Sequence, residues 1–144
     1  MVAALPAALD EGRWQRVKPP TLLAGGLLAL SVLLHLRDPH HGGSWGYCPW
    51  LMLTGTYCPG CGTLRAVNDL GDGRIGAAAS SNLLFVGSLP LVGYLYVRWF
   101  VDRWRGVRRY VVPRRLYVYV AVFVVVALAF TVARNLPFGA WLAP

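Results

Sequence analysis

Charged side chains are scarce in this 144-residue chain, at 14%, and acids are scarcer still, with 6 Asp+Glu against 14 Lys+Arg. Soluble globular chains carry roughly 25% charged residues, so an ordinary soluble domain is excluded. Cysteine is also sparse. Three cysteines form an odd set, which excludes a complete disulfide framework within one chain. They also fall one short of the four ligands that a closed structural zinc site takes. Gly62, not histidine, follows Cys61, so haem attachment is excluded. No βαβ pattern surrounds Cys58-x-x-Cys61, which counts against a thioredoxin-like oxidoreductase. A small-x-small cleavage site is missing after the first apolar run, where Arg37-Asp38-Pro39-His40-His41 stand instead. That run therefore reads as a retained anchor, not a signal peptide.

What is abundant is apolar: 56% of residues are hydrophobic, and the mean hydropathy is +0.49. They gather in three runs, about 21–36, 83–100 and 116–133. The first, at 1.5 Å per residue, reaches roughly 24 Å. That is slightly short of a ~30 Å hydrocarbon core, unless Pro19-Pro20 serve as its first turn. The second carries Gly87, Pro90 and Gly93, and the third is Val-rich and uninterrupted. The expected fold is an all-α integral membrane protein with three transmembrane helices. A cysteine-containing re-entrant or interfacial helical segment, residues 44–80, connects the first two. Residues 1–20 form a polar lead, and 21–144 a single membrane domain.

Basic residues fix the expected orientation. Arg98, Arg103, Arg105, Arg108, Arg109, Arg114 and Arg115 fill the second connection, and the lead is also net positive. Both lie on one side of a three-span protein. By the positive-inside rule the lead and residues 101–115 are cytoplasmic, and the cysteine segment and C-terminus face outward. A pI near 10 then reflects topology; the arginines cluster between apolar runs, so nucleic acid is not an expected partner.

The cysteine segment carries the chemistry. Cys58-Pro59-Gly60-Cys61 brings two sulfurs together around a turn, and Cys48 adds a third. Three chemistries fit: a static disulfide, the default in an oxidising compartment; a metal knuckle, zinc first, with His35, His40, His41 or a second chain completing the set; or reactive thiols at Cys58 and Cys61. Cys61 stands near the expected start of helix Thr63 to Leu70, where the helix dipole and Arg65 would make it the more acidic of the pair. Gly62 belongs to the same turn. Leu64, Val67 and Leu70 have helical spacing, and Arg65 and Asp69 stand at i, i+4, where opposite charges meet. Asn82 reads as a helix cap. Trp45 to Leu53 is apolar and aromatic but too short to span.

The run Cys48-Pro49, Thr54-Gly55-x-Tyr57-Cys58-Pro59-Gly60-Cys61-Gly62-Thr63-x-Arg65-Ala66, with Gly71-Asp72, Ala78 and Asn82, resembles the bacterial membrane family called domain of unknown function 2752. Arg134-Asn135-Leu136-Pro137 and Trp141-Leu142 resemble its tail. The resemblance implies a small multi-spanning plasma-membrane protein and implies no activity. The residues do not commit the chain to catalysis. They favour a non-enzymatic accessory subunit, with the bilayer and another membrane protein or a second copy as partners. The rival is a thiol-active redox or metal-binding protein using Cys58 and Cys61.

Overall fold

A computed structural model describes residues 12–107 and 116–143. The expected lead up to residue 11, and Arg108, Arg109, Arg114 and Arg115 of the basic connection, lie outside them. All the described elements are helical: α1 (Arg13–Leu36), α2 (Pro49–Thr54), α3 (Thr63–Gly71), α4 (Ile75–Ser81), α5 (Leu83–Arg105), α6 (Leu116–Arg134) and a closing 3₁₀ turn (Pro137–Leu142). Helices α1, α5 and α6 are each long and apolar enough to cross a membrane, and their side chains are almost wholly unburied within the protein. The three-span, all-α fold is therefore present, with the cysteine segment between the first two spans.

The first span differs from expectation at its start. Helix α1 does not begin after Pro19-Pro20 but runs through them from Arg13. Its 24 residues reach roughly 36 Å, enough for a bilayer core. Just past the prolines, the Thr21 hydroxyl donates to the carbonyls of Val17 and Lys18 at 3.0 and 2.9 Å.

Helices α1 and α5 pack antiparallel. Tyr96 donates its hydroxyl to Pro20 O at 2.9 Å, and the Arg13 guanidinium lies 5.0 Å over the Trp104 ring. These contacts tie the start of α1 to the end of α5. Val17 and Pro20 are buried at this end, and the larger buried cluster lies at the opposite end of the spans. There α3 and α4 form a hairpin against the end of α1 and the start of α5, and the closing 3₁₀ turn folds α6 back onto α4.

Helix α3 turns its polar side inward. Its buried residues are Ala66, Asn68 and Asp69, while Leu64 of the apolar stripe is exposed. Asn68 donates to Leu34 O at 3.0 Å, satisfying a carbonyl in the last turn of α1 that the helix leaves free.

The closing turn depends on Gly139. A β-carbon there would collide with the carbonyl of Ala133 and press on the backbone of Arg134. Neither obstacle is a flexible side chain, so the turn must separate from α6. Gly139→Ala is expected to destabilise the protein by about 2 kcal/mol or more, in the range of serious overpacking. Thermal unfolding in detergent, against Gly87→Ala in open surroundings, checks it.

Candidate metal centre

The cysteine turn is built from local rules. Gly62 caps α3 with φ +82°, a left-handed conformation that glycine adopts without a steric penalty. Cys61 N–H donates to Cys58 O at 3.1 Å, closing the Pro59-Gly60 turn, and Thr63 N–H donates to Gly60 O at 3.2 Å. The turn then folds its own amide onto sulfur: Cys58 N–H donates to Cys61 Sγ at 3.3 Å. Cys48 arrives from the other side as the N-cap of α2, with Pro49 at its first position, where proline's fixed φ suits a helix start.

These elements bring the three sulfurs together. Cys58 Sγ lies 2.9 Å from Cys61 Sγ and 3.5 Å from Cys48 Sγ, and all three lie within 4.8 Å of one another. All three cysteines are free, since a disulfide needs its sulfurs about 2.05 Å apart. The expected disulfide staple is thus not formed, and what the fold contains is a triangle of thiols. A tetrahedral ion with metal–sulfur bonds of about 2.3 Å spaces its sulfurs about 3.8 Å apart. The triangle has the size of one ion's ligand set, and its Cys58–Cys61 edge, at 2.9 Å, would open on binding.

The thiols differ in a way opposite to expectation. Burial pushes the Cys61 thiol up to about 12, with the neighbouring Cys58 and Cys48 sulfurs adding to the rise. Cys61 is 8% exposed, and desolvation outweighs its proximity to α3, which starts two residues later. The thiol at a helix end is Cys48. The Leu51 backbone N–H holds it below the ordinary thiol range, although no complete cap hydrogen bond forms.

Three polar side chains from the spans clamp the backbone of the turn. Asn82 donates from Nδ2 to Pro59 O, Cys61 O and Thr63 Oγ1 at 3.0–3.2 Å. Its Oδ1 accepts from Phe85 N–H at 3.0 Å, so it also caps α5 as expected. Asn135 pairs with Tyr57 as a strand would, accepting from Tyr57 N–H at 2.8 Å and donating to Tyr57 O at 2.9 Å.

The third clamp is Arg134, at the end of α6 and only 1% exposed. Its guanidinium donates to Cys58 O at 2.9 Å, Cys61 O at 3.1 Å, Ser81 O at 3.4 Å and Leu142 O at 2.8 Å. The rings of Phe130 and Tyr57 lie 4.9 and 5.6 Å from it. Among the described residues no carboxylate pairs with it, and its Nε has no partner. A buried cation without a counter-charge is costly. The thiol triangle is the group beside it that can become anionic.

The remaining expected site residues form a separate network. Arg65 does not pair with Asp69; its Nε donates to Pro39 O at 3.3 Å. Asp69, 1% exposed, is held instead by Arg74 at 2.8 Å, with Ser81 Oγ and His40 Nε2 each at 3.4 Å. The Gly71-Asp72-Gly73 turn brings Arg74 back onto this face. His40 bridges Asp69 to Asp38 Oδ1, which lies 2.8 Å from Nδ1; the His40 backbone N–H, donating to the same oxygen, and then this ring contact hold the Asp38 carboxyl below its usual range. His41 is exposed and lines the same cleft as the three cysteines. Among the described residues, only the three cysteines fall within one ion's reach.

The molecule is thus a three-span helical membrane protein that holds a clamped cysteine triangle at one end of its spans. Residues 48–96 match the family model described as "Protein of unknown function (DUF2752)", which bears out the resemblance read from the cysteine motif. The match covers the triangle, α2 to α4 and part of α5, and ends before α6, which supplies Arg134. No curated protein and no solved structure matches the chain.

Proposed function

We propose that this protein holds one thiophilic metal ion, zinc first, on Cys48, Cys58 and Cys61, as the metal-handling or accessory subunit of a bacterial plasma membrane. The convergence of three sulfurs within 4.8 Å carries this reading. Three thiolates around a divalent ion bear a single net negative charge, which Arg134 is placed to balance. A coordinating cation also deprotonates its thiols outright, which overcomes the burial that keeps Cys61 protonated. Soft thiolate donors favour zinc or cuprous copper over magnesium or calcium. Disulfide exchange at the Cys58-x-x-Cys61 pair is less well supported, because it needs an acidic thiol and burial pushes Cys61 the other way.

Arg13, Arg16, Lys18, Arg103 and Arg105 stand at the span ends opposite the triangle. The positive-inside rule makes that end cytoplasmic and the triangle outward.

The full chain, purified in detergent without added chelator, is expected to carry one zinc per molecule. Its thiols should react only after chelation. No bound metal, together with rapidly alkylated thiols, would overturn the proposal. The orientation is tested by Val107→Cys in intact cells. A membrane-impermeant thiol reagent should label it no more than the unsubstituted chain, and extra labelling would reverse the topology.

A further inference from the structure

The triangle does not close on itself. All three cysteines line an open cleft of ≈ 450 Å³, and among the described residues no fourth sulfur, imidazole or carboxylate joins them. Three protein ligands with an open position is the pattern of a metal site that binds an exogenous group, whereas structural zinc sites are filled with four.

The walls indicate what that group is. Trp45, Tyr47, Leu51 and Tyr57 make the cleft largely aromatic and apolar, and no acidic residue lines it. Arg65 stands at its wall, fixed through Nε to Pro39 O. Among the described residues its guanidinium is committed to no carboxylate. A guanidinium so placed suits a carboxylate, which it grips through paired N–H donors.

Resting on the metal reading above, we propose that the fourth position takes a small thiol bearing a carboxylate, its sulfur on the ion and its carboxylate on Arg65. The step is a ligand exchange with no change of oxidation state. The thiol releases its proton to solvent, the sulfur–metal bond forms, and a metal-bound water leaves. The resulting four-thiolate complex carries two negative charges and the ligand's carboxylate a third; Arg65 pairs with the carboxylate, and Arg134 behind the triangle faces the complex.

The test uses the full chain in detergent, loaded with Co(II) and desalted. Co(II) should bind one per chain with sulfur-to-cobalt charge-transfer absorption from three thiolates. Adding 3-mercaptopropionate should raise that absorption by a fourth increment while the cobalt stays bound. Ethanethiol should bind more weakly, and propionate should add no charge transfer. Arg65→Met should weaken 3-mercaptopropionate about tenfold, a typical effect of losing a charge-assisted contact, and leave ethanethiol unchanged. A spectrum indifferent to 3-mercaptopropionate overturns the inference, and so does a fourth ligand removed by His41→Ala. Loss of cobalt to the added thiol, or equal affinity for ethanethiol, overturns it as well. In each of those cases the three-thiolate site itself still stands. Failure of Co(II) to bind, or binding without charge transfer, sinks the metal reading and this inference with it.

Discussion

Changing Cys58 to Ser is expected to abolish stoichiometric metal binding, because Cys58 is the shared corner of the triangle. Its sulfur is the one close to both others, at 2.9 Å from Cys61 and 3.5 Å from Cys48. A serine hydroxyl is shorter, harder and ionised far less readily than a thiol, so a soft cation loses a full bond. Loss of an outer-shell partner already costs a metal site about 10–100-fold in affinity. Loss of one ligand of three should exceed the upper end of that range. The measurement is competition against a chromophoric zinc chelator, run on both proteins in the same detergent. Cys48→Ser should have a similar effect, although Cys48 lies ten residues before Cys58, as the N-cap of α2. That second result separates the triangle from a two-cysteine site. If Cys58→Ser removes the metal and Cys48→Ser leaves it in place, the C-x-x-C pair alone is the binding unit and the geometry has been misread.

The spans were legible because lipid imposes a simple rule. A run of apolar residues long enough to cross the bilayer core must be helical, since no water is there to satisfy its backbone. Helices α5 and α6 accordingly begin at the residues where the apolar runs begin. The start of α1 was not legible. Pro19-Pro20 look like a boundary because proline lacks an amide and clashes with the preceding turn. Tyr96 of α5 donates to the Pro20 carbonyl, and the antiparallel packing of α5 carries the helix past them.

The site was legible in its ligands and illegible in its support. The sulfurs of a C-x-x-C turn meet whatever surrounds them. Which distant group meets the turn is a tertiary fact. Asn82 carried the signal of a cap at the head of a span, and it is one, but its amide also reaches three acceptors in the cysteine turn. For Asp69 the i, i+4 rule named Arg65 as partner. That rule describes an exposed helix face, whereas Asp69 lies on the buried face and meets Arg74 from the next turn. Cys61 illustrates the same competition: helix-end electrostatics argued for an acidic thiol, and desolvation prevailed. Arg134 had one available signal. It is a charged residue ending the most apolar run of the chain, and ionisable groups at such positions often serve a site.

Arg134→Gln should therefore be the most damaging substitution outside the cysteines. Glutamine can reach at most part of the set that Nη1 and Nη2 now satisfy. Cys58 O, Cys61 O and Leu142 O are each within 3.1 Å of the guanidinium. Leaving buried acceptors unpaired costs about 1–3 kcal/mol each, so a loss of about 3 kcal/mol or more is expected by thermal unfolding in detergent. Removal of a charge buried without a carboxylate partner works in the opposite direction, and how much of that loss it offsets depends on whether the triangle is anionic. Without metal, with neutral thiols, the substitution loses hydrogen bonds but relieves an uncompensated cation, and the two effects partly cancel. With metal, the cation has a counter-charge and nothing is relieved. Arg134→Gln should thus destabilise the metal-loaded protein markedly more than the metal-free protein, and by thermodynamic linkage weaken metal binding by the same difference. About 10–100-fold in affinity is expected, the range for an outer-shell partner. Arg134→Lys keeps the charge but not the planar fork of donors, so it should recover metal affinity more fully than stability. Equal losses with and without metal would make Arg134 a structural clamp alone and remove the charge balance from the case for the metal centre.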